Sequence, residues 1–250
     1  MPEYKLLVNG FAQTAAYAQE SIDRALIPLL RHLTEMRRAR NRRLIVYLAA
    51  PPGAGKSTLA ALLEILSKTT PELEPLQALG MDGFHHRQKY IHSHTVARDG
   101  HAIPMSLVKG CPASYDLERM TRAIARIHEP SATWPVYDRN LHDVSDVEIQ
   151  VEAPIVLIEG NWILLDEPGW RELRKLCDFA VMLYPQMDSL RERLIGRKIR
   201  GGSAPEEAKA HYDRCDGPNI QRCLASQLPA DAILQALPDG QLTMIHFLSF

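Results

Sequence analysis

Residues 50–57 read Ala50-Pro51-Pro52-Gly53-Ala54-Gly55-Lys56-Ser57. The string matches a Walker A phosphate loop with one departure, alanine at the position where the pattern begins with glycine. Its flanks suit the motif. Before it, Arg43-Leu44-Ile45-Val46-Tyr47-Leu48-Ala49 holds an apolar run short enough for a buried strand. After it, Thr58-Leu59-Ala60-Ala61-Leu62-Leu63 is good helix-forming sequence. Strand, glycine-rich turn and helix is the order that phosphate binding needs. Gly53, Ala54 and Gly55 let backbone N–H groups turn inward, and the helix N-terminus at Lys56, Ser57 and Thr58 adds partial positive charge. In such a loop Lys56 reaches the β- and γ-phosphates and the Ser57 hydroxyl ligates Mg²⁺.

The chain has 250 residues, 46% of them hydrophobic, enough for a substantial core. Its formal net charge is −1, which gives no global electrostatic argument for nucleic acid. No apolar run approaches the roughly 18 residues of a membrane span. The start, Met1-Pro2-Glu3-Tyr4-Lys5, lacks the basic-then-apolar plan of a signal peptide. Cys111, Cys177, Cys215 and Cys223 are scattered and read as free thiols. Together these imply a cytoplasmic protein with no membrane or nucleic-acid partner.

Outward from the loop, alternating strands and helices predict an α/β fold, a parallel sheet flanked by helices. Toward the N-terminus, residues 4–14 read as a hairpin turning at Asn9-Gly10. Ile22 to Met36 has helical spacing, with a kink or two shorter helices expected at Pro28. Toward the C-terminus, strands are expected at Leu76–Met81, Ile155–Ile158 and Phe179–Tyr184, and a terminal hairpin turns at Asp239-Gly240. Residues 87–112, with His92, His94 and His101, show weak periodicity and read as a long loop. A helix opens near Ser114 or Asp116. Asp188 to about Arg200 forms a basic helix ending at Gly201-Gly202, with two more helices at 206–214 and 220–226. The organisation expected is one domain over 1–250, with residues 1–42 as an appendage and about 186–215 as a lid.

Open parallel sheets place their sites at the carboxyl ends of strands. Four such ends carry useful chemistry. The first holds the phosphate loop. The second holds Asp82, where a carboxylate can accept the proton of an attacking hydroxyl; by itself Asp82-Gly83 also reads as a turn. The third holds Glu159, a hard oxygen donor suited to Mg²⁺ beside Ser57; a solvated strand-end acid is the other reading. The fourth leads into the basic helix, where Arg193, Arg197 and Arg200 share a face. That face could stabilise charge on a transferring phosphoryl group or be merely solvated. His85 and the cluster Tyr137, Asp138, Arg139 and His142 suggest a substrate wall. The histidines of 85–101 lack cysteine partners and His-x-x-x-His spacing, which argues against zinc.

These residues together resemble the superfamily of phosphoribulokinase, uridine kinase and pantothenate kinase. The resemblance runs from about Arg43 to Arg200. Asp82-Gly83-Phe84-His85 is similar to the segment that carries the superfamily's catalytic base. Gly110-Cys111-Pro112-Ala113-Ser114-Tyr115-Asp116 looks like its helix entry, Pro135-Val136-Tyr137-Asp138 like its acceptor-site segment, and Ile158-Glu159-Gly160 like its acidic strand end. Met81 to His86, Tyr137 to Arg139, Glu159 to Trp162 and Asp166 to Trp170 are nearer to a bacterial branch described as nucleoside/nucleotide kinase-like or fructose-transport-associated kinases. The resemblance implies ATP, Mg²⁺ and transfer to an alcohol. It gives Asp82 as base, Lys56 with Arg193 on the phosphates, Ser57 and Glu159 at the metal, and His85, Tyr137 and Arg139 at the substrate; the shared helix face adds Arg197 beside Arg193. A sugar, sugar alcohol or derivative is the first expectation for the acceptor, with a nucleoside or pantothenate next. An ATP-binding sensor without transfer is the alternative of a different class. A homodimer is compatible with the sequence.

Overall fold

The computed structural model describes residues 1–8, 10–98, 100–237 and 240–247. In chain order its strands are β1 (Glu3–Val8), β2 (Phe11–Ala16), β3 (Leu44–Ala49), β4 (Leu76–Gly80), β5 (Thr95–Arg98), β6 (His101–Pro104), β7 (Thr133–Asp138), β8 (Asp143–Gln150), β9 (Ile155–Gly160), β10 (Phe179–Tyr184), β11 (Ala232–Ala236) and β12 (Leu242–Phe247). The α-helices used below are α1 (Ile27–Ala39), α2 (Lys56–Thr69), α3 (Gln88–Ser93), α4 (Leu117–Ala125), α5 (Met187–Arg200), α6 (Pro205–His211) and α7 (Gly217–Ala225).

Six strands form the main sheet in the order β12-β11-β10-β3-β9-β4. The strand β3 shows why it is central. Every residue from Leu44 to Ala49 is buried, as continuous apolar runs in a two-sided parallel sheet require. Its side chains alternate between two cores. Leu44, Val46 and Leu48 join Leu29, Leu33, Leu59 and Leu63 on one face. Ile45, Tyr47 and Ala49 join Trp134, Trp162 and Leu173 on the other. β9 divides in the same way, Ile155 and Leu157 to the first core, Val156 and Ile158 to the second. Each large aliphatic side chain so buried contributes about 1.5–3 kcal/mol.

The expected parallel sheet flanked by helices is present, and the expected terminal hairpin makes its edge antiparallel; other expectations are corrected. β10, β3, β9 and β4 run parallel, β11 pairs parallel with β10, and β12 closes the edge antiparallel to β11. The two expected hairpins are present as strand pairs, while Asn9 and Asp239 of their turns lie outside the described residues. Pro28 does not split the first helix: a π-helical turn over Ile22–Leu26 leads directly into α1, with Pro28 in its first turn. Because the chain is helical before Pro28 too, its missing N–H costs one intrahelical bond, at the π-helical turn. The same device recurs at Tyr212–Asp216, joining α6 to α7 ahead of Pro218. Residues 87–112 are not a long loop. They hold α3 and the hairpin β5–β6, which are largely exposed and therefore show no burial period. Asp116, not Ser114, caps α4, its carboxylate accepting from Arg119 N–H at 2.9 Å.

Residues 3–39 pack into the main core, with Leu6, Leu26, Leu29, Leu30 and Leu33 buried in the same cluster as the sheet. Among the described residues no helix is long and apolar enough to cross a membrane.

Candidate active site

The site follows from strand order. β9 lies between β3 and β4, so Glu159 sits between the phosphate loop and Asp82. Local sequence pattern carries no strand order for these ends. The inserted strand places the acid meant for metal next to the loop and the acid meant as base one strand further out.

After β3, Gly53 (φ 77°) and Gly55 (φ 92°) adopt left-handed backbone, and Gly55 caps α2. These are conformations that side chains with a Cβ adopt at a cost. A Cβ on Gly53 would lie 2.8 Å from Leu194 Cγ, which shows how closely α5 rests on the loop. Ser57 Oγ donates to Glu159 Oε1 at 2.7 Å, and Lys56 Nζ lies 3.9 Å from Oε2. Burial raises the pKa of Glu159, as does nearby Asp82, with Lys56 and the Ser57 hydroxyl opposing. Ser57 and Glu159 offer hard oxygens side by side at a helix N-terminus. That donor set and the inward-turned loop fit Mg²⁺ and a phosphate chain. The Oδ1 of Asn161, just past β9, is buried without a hydrogen-bond partner, and the residue lines the same cleft.

Asp82 lies in a 3₁₀ turn after β4. Close packing holds that turn: a Cβ on Gly83 would come within 2.0 Å of the Pro135 carbonyl oxygen, and one on Gly160 within 2.1 Å of Met81 Sδ. Two glycines thus draw the turn against β7 on one side and β9 on the other. Asp82 then receives Arg139 Nη2 at 2.8 Å on Oδ2 and the Tyr115 hydroxyl at 3.2 Å on Oδ1. Burial works to raise the Asp82 pKa. His85, Arg139, Lys56 and the Tyr115 hydrogen bond outweigh it and hold the carboxyl below its ordinary value. Burial lifts the Tyr115 phenol well above its ordinary pKa, reinforced by Asp82, so Tyr115 stays a donor. His85 is buried, stacked on Tyr115 with ring centroids 3.9 Å apart. Burial lowers its pKa to about 4 against the opposing pull of Asp82. Tyr137 meets His85 edge-on at 5.5 Å.

The expected site residues therefore fall around one cleft of about 570 Å³, lined among others by Gly53, Gly55, Lys56, Ser57, Thr58, Asp82, His85 and Arg139 and roofed by Arg193, Arg197 and Arg200. Tyr137 lines an adjoining cavity of about 430 Å³ that shares Asp82, His85 and Arg139. Ala54 is buried beneath the loop, and Glu159 reaches the cleft through Ser57 and Lys56.

Sequence reasoning missed several residues. Tyr115 had a signal, an aromatic beside the Asp116 helix cap. Lys109 had one too, as the single charged residue between His101 and Asp116. Asn161 follows Glu159-Gly160 at the end of β9, where its local sequence marks only a strand end. Val8, Phe11 and Gln13 of the N-terminal hairpin line the loop side of the cleft, with Gln13 Nε2 donating to Thr58 Oγ1 at 3.2 Å. Nothing in their local sequence announces this.

Strand, glycine turn, helix and mixed sheet define a P-loop protein of the kinase type. The chain belongs to the phosphoribulokinase / uridine kinase family, whose model matches residues 45–243. It is 39% identical over 246 residues to the uncharacterized protein YggC of Escherichia coli (strain K12), covering 98% of this chain and 99% of that one. It is 28% identical over 182 residues to the pantothenate kinase of Cronobacter sakazakii (strain ATCC BAA-894), spanning 67% of this chain and 55% of that protein. Among solved structures it resembles a protein from Silicibacter sp. TM1040 described provisionally as a fructose transport system kinase. That likeness has a TM-score of 0.72 at 28% identity, over 84% of this chain and 98% of the other.

Proposed function

We propose that the protein phosphorylates a hydroxyl of a small polar metabolite, a sugar, sugar alcohol or derivative, using ATP and Mg²⁺. The observation that carries this reading is the row of three adjacent strand ends: the phosphate loop after β3, Glu159 on β9 and Asp82 after β4. A nucleotide-binding switch has no use for Asp82 with its own retinue of Arg139, Tyr115 and His85.

Gly53 to Thr58 would hold the phosphate chain through backbone N–H groups, with Lys56 at its β–γ end. Ser57 and Glu159 would hold Mg²⁺, which supplies charge neutralisation when bound. Arg193 and Arg197 project from α5 over the loop and would balance charge on the transferring group. Asp82, ionised and oriented by Arg139 and Tyr115, would align the acceptor hydroxyl and take its proton. Its depressed pKa makes it a weak base. That suits phosphoryl transfer, where positioning matters more than early deprotonation. Val8 and Phe11 offer an apolar edge next to Thr58, on the side of the loop where the nucleoside end of ATP would lie.

The test is ATP consumption over a panel of sugars, polyols, nucleosides and pantothenate. Turnover with one acceptor, abolished by Asp82→Asn while ATP binding persists, supports the reading. ATP binding with no acceptor-dependent turnover would favour a sensor.

A further inference from the structure

The cavity beyond Asp82 carries more positive charge than the proposed transfer accounts for. Four of its lining residues are cationic, Lys109, Arg139, Lys198 and Arg214, against two acids, Asp82 and Glu207. Arg139 and Asp82 are spent on each other at 2.8 Å, and Glu207 is exposed at the rim. Among the described residues no carboxylate lies within 4.0 Å of Lys109, Lys198 or Arg214. The triphosphate end of the cleft has its own cations, Lys56, Arg193, Arg197 and Arg200; Lys109 lines both cavities, and Lys198 and Arg214 line only the one beyond Asp82.

Lys109 is the most telling of the three. Its Nζ donates to the Tyr137 hydroxyl at 2.8 Å and to the His142 carbonyl at 3.0 Å. An ammonium has three N–H groups, and both partners are neutral, so one donor stays available; Asp143 and Asp82 act on its charge only from beyond 4.0 Å. Tyr137 accepts from Lys109 and keeps its own proton, burial pushing its pKa up to about 12. It therefore presents an O–H to the same cavity. Asp216 acts on Lys198 as those acids act on Lys109; the three cations at the wall repel one another, and an anion seated among them would relieve that repulsion.

We propose that the acceptor bears its own anionic group, a phosphate monoester or a carboxylate, bound by Lys109, Lys198, Arg214 and the Tyr137 hydroxyl. This deepens the kinase reading and rests on it. The anion anchors the far end of the acceptor and leaves a hydroxyl at Asp82. Neutral sugars lack that anchor.

The test separates the subsite from turnover. With the phosphate loop filled by Mg²⁺ and the β,γ-imido analogue of ATP, inorganic phosphate and acetate are titrated by calorimetry into the wild type and into Arg214→Met and Lys198→Met. Both positions are on helix surfaces, so the variants should fold. The expected result is saturable binding of one anion, weakened roughly tenfold or more in each variant, since hydrogen bonds to charged groups carry about that much. The analogue's affinity should be unchanged. The phosphate and acetate arms decide which anion the subsite prefers. No anion binding to the analogue complex, or equal binding by the variants, overturns the proposal. In turnover assays on matched triplets of neutral sugar, sugar phosphate and sugar acid, a neutral member outperforming both charged counterparts also overturns it. Absence of turnover with every acceptor would overturn the kinase reading instead, with the calorimetry still judging the subsite.

Discussion

Arg139 and Asp82 form a 2.8 Å ion pair between the turn that joins β7 to β8 and the turn that follows β4. The two residues are 57 positions apart in the chain. Their pairing gives Asp82 a fixed orientation and keeps it ionised in a wall where burial alone would favour the neutral acid.

If Asp82 is the base, Asp82→Asn should lower kcat by roughly a hundredfold to ten-thousandfold, with the affinity for an ATP analogue retained. Arg139→Met should act through Asp82. Removing the cation raises the carboxyl's pKa, so the acidic limb of the kcat/KM–pH profile should move to higher pH. A profile that stays in place in Arg139→Met would show that Asp82 is not the group being titrated.

Glu159→Gln should raise the Mg²⁺ concentration needed for half-maximal activity by roughly tenfold or more, because the Ser57–Glu159 pair loses its charge. Titrating Mg²⁺ at fixed ATP reads this directly, and an unchanged requirement would remove Glu159 from the metal site.

His85 predicts a pH dependence of stability. Its pKa falls from 6.5 in the unfolded chain to about 4 in the fold. Between those values the unfolded state binds more protons, so stability decreases as pH is lowered from about 6.5 to about 4 and levels off below. This contributes up to about 3 kcal/mol. His85→Asn should flatten that part of the curve, measured by urea unfolding at pH 7 and pH 4.5. An unaltered difference between the two pH values in the variant would contradict the assignment.

Gly83→Ala should destabilise the fold by about 2 kcal/mol or more. Its Cβ would meet a backbone carbonyl, Pro135 C=O at 2.0 Å, which cannot swing aside as a side chain can. Because the displaced turn carries Asp82, activity should fall further than global unfolding explains, measurable at temperatures where the variant remains folded.

Phe11→Ala should weaken ATP a few-fold and leave inorganic tripolyphosphate binding unchanged, since Phe11 lines the cleft beside Thr58 rather than at the phosphate turn. Equal weakening of both ligands would argue against a nucleobase contact.

Much of this arrangement was legible from local pattern. Residues 44–49 and 155–158 are apolar without interruption because they are buried on both faces, and that marks central parallel strands without reference to any partner. Gly53, Gly55, Lys56 and Ser57 announce a phosphate loop because backbone turn and helix N-terminus are local features. Glu159 was identifiable as a strand-end acid because it follows such a run, and Asp82 because it follows the mostly apolar stretch Leu76–Met81. The helix and hairpin within 87–112 were missed since their exposed residues carry no burial period. Pro28 suggested a break because a single sequence does not reveal that a π-helical turn precedes it.

The sequence by itself determined the elements, the phosphate loop and the acids at strand ends, since each depends on neighbours a few residues away. Only the tertiary structure decided how those ends stand together. Strand order is a long-range choice of partners, and it inserted β9 between β3 and β4, setting Glu159 against Ser57 and Asp82 one strand further out. Packing around Gly83 then joined Asp82 to Arg139. Folding of the N-terminal hairpin onto α2 brought Phe11 and Gln13 to the phosphate loop. The cationic cavity of Lys109, Lys198 and Arg214 likewise comes from three separate segments, whose charges are unremarkable until the fold makes them face one another.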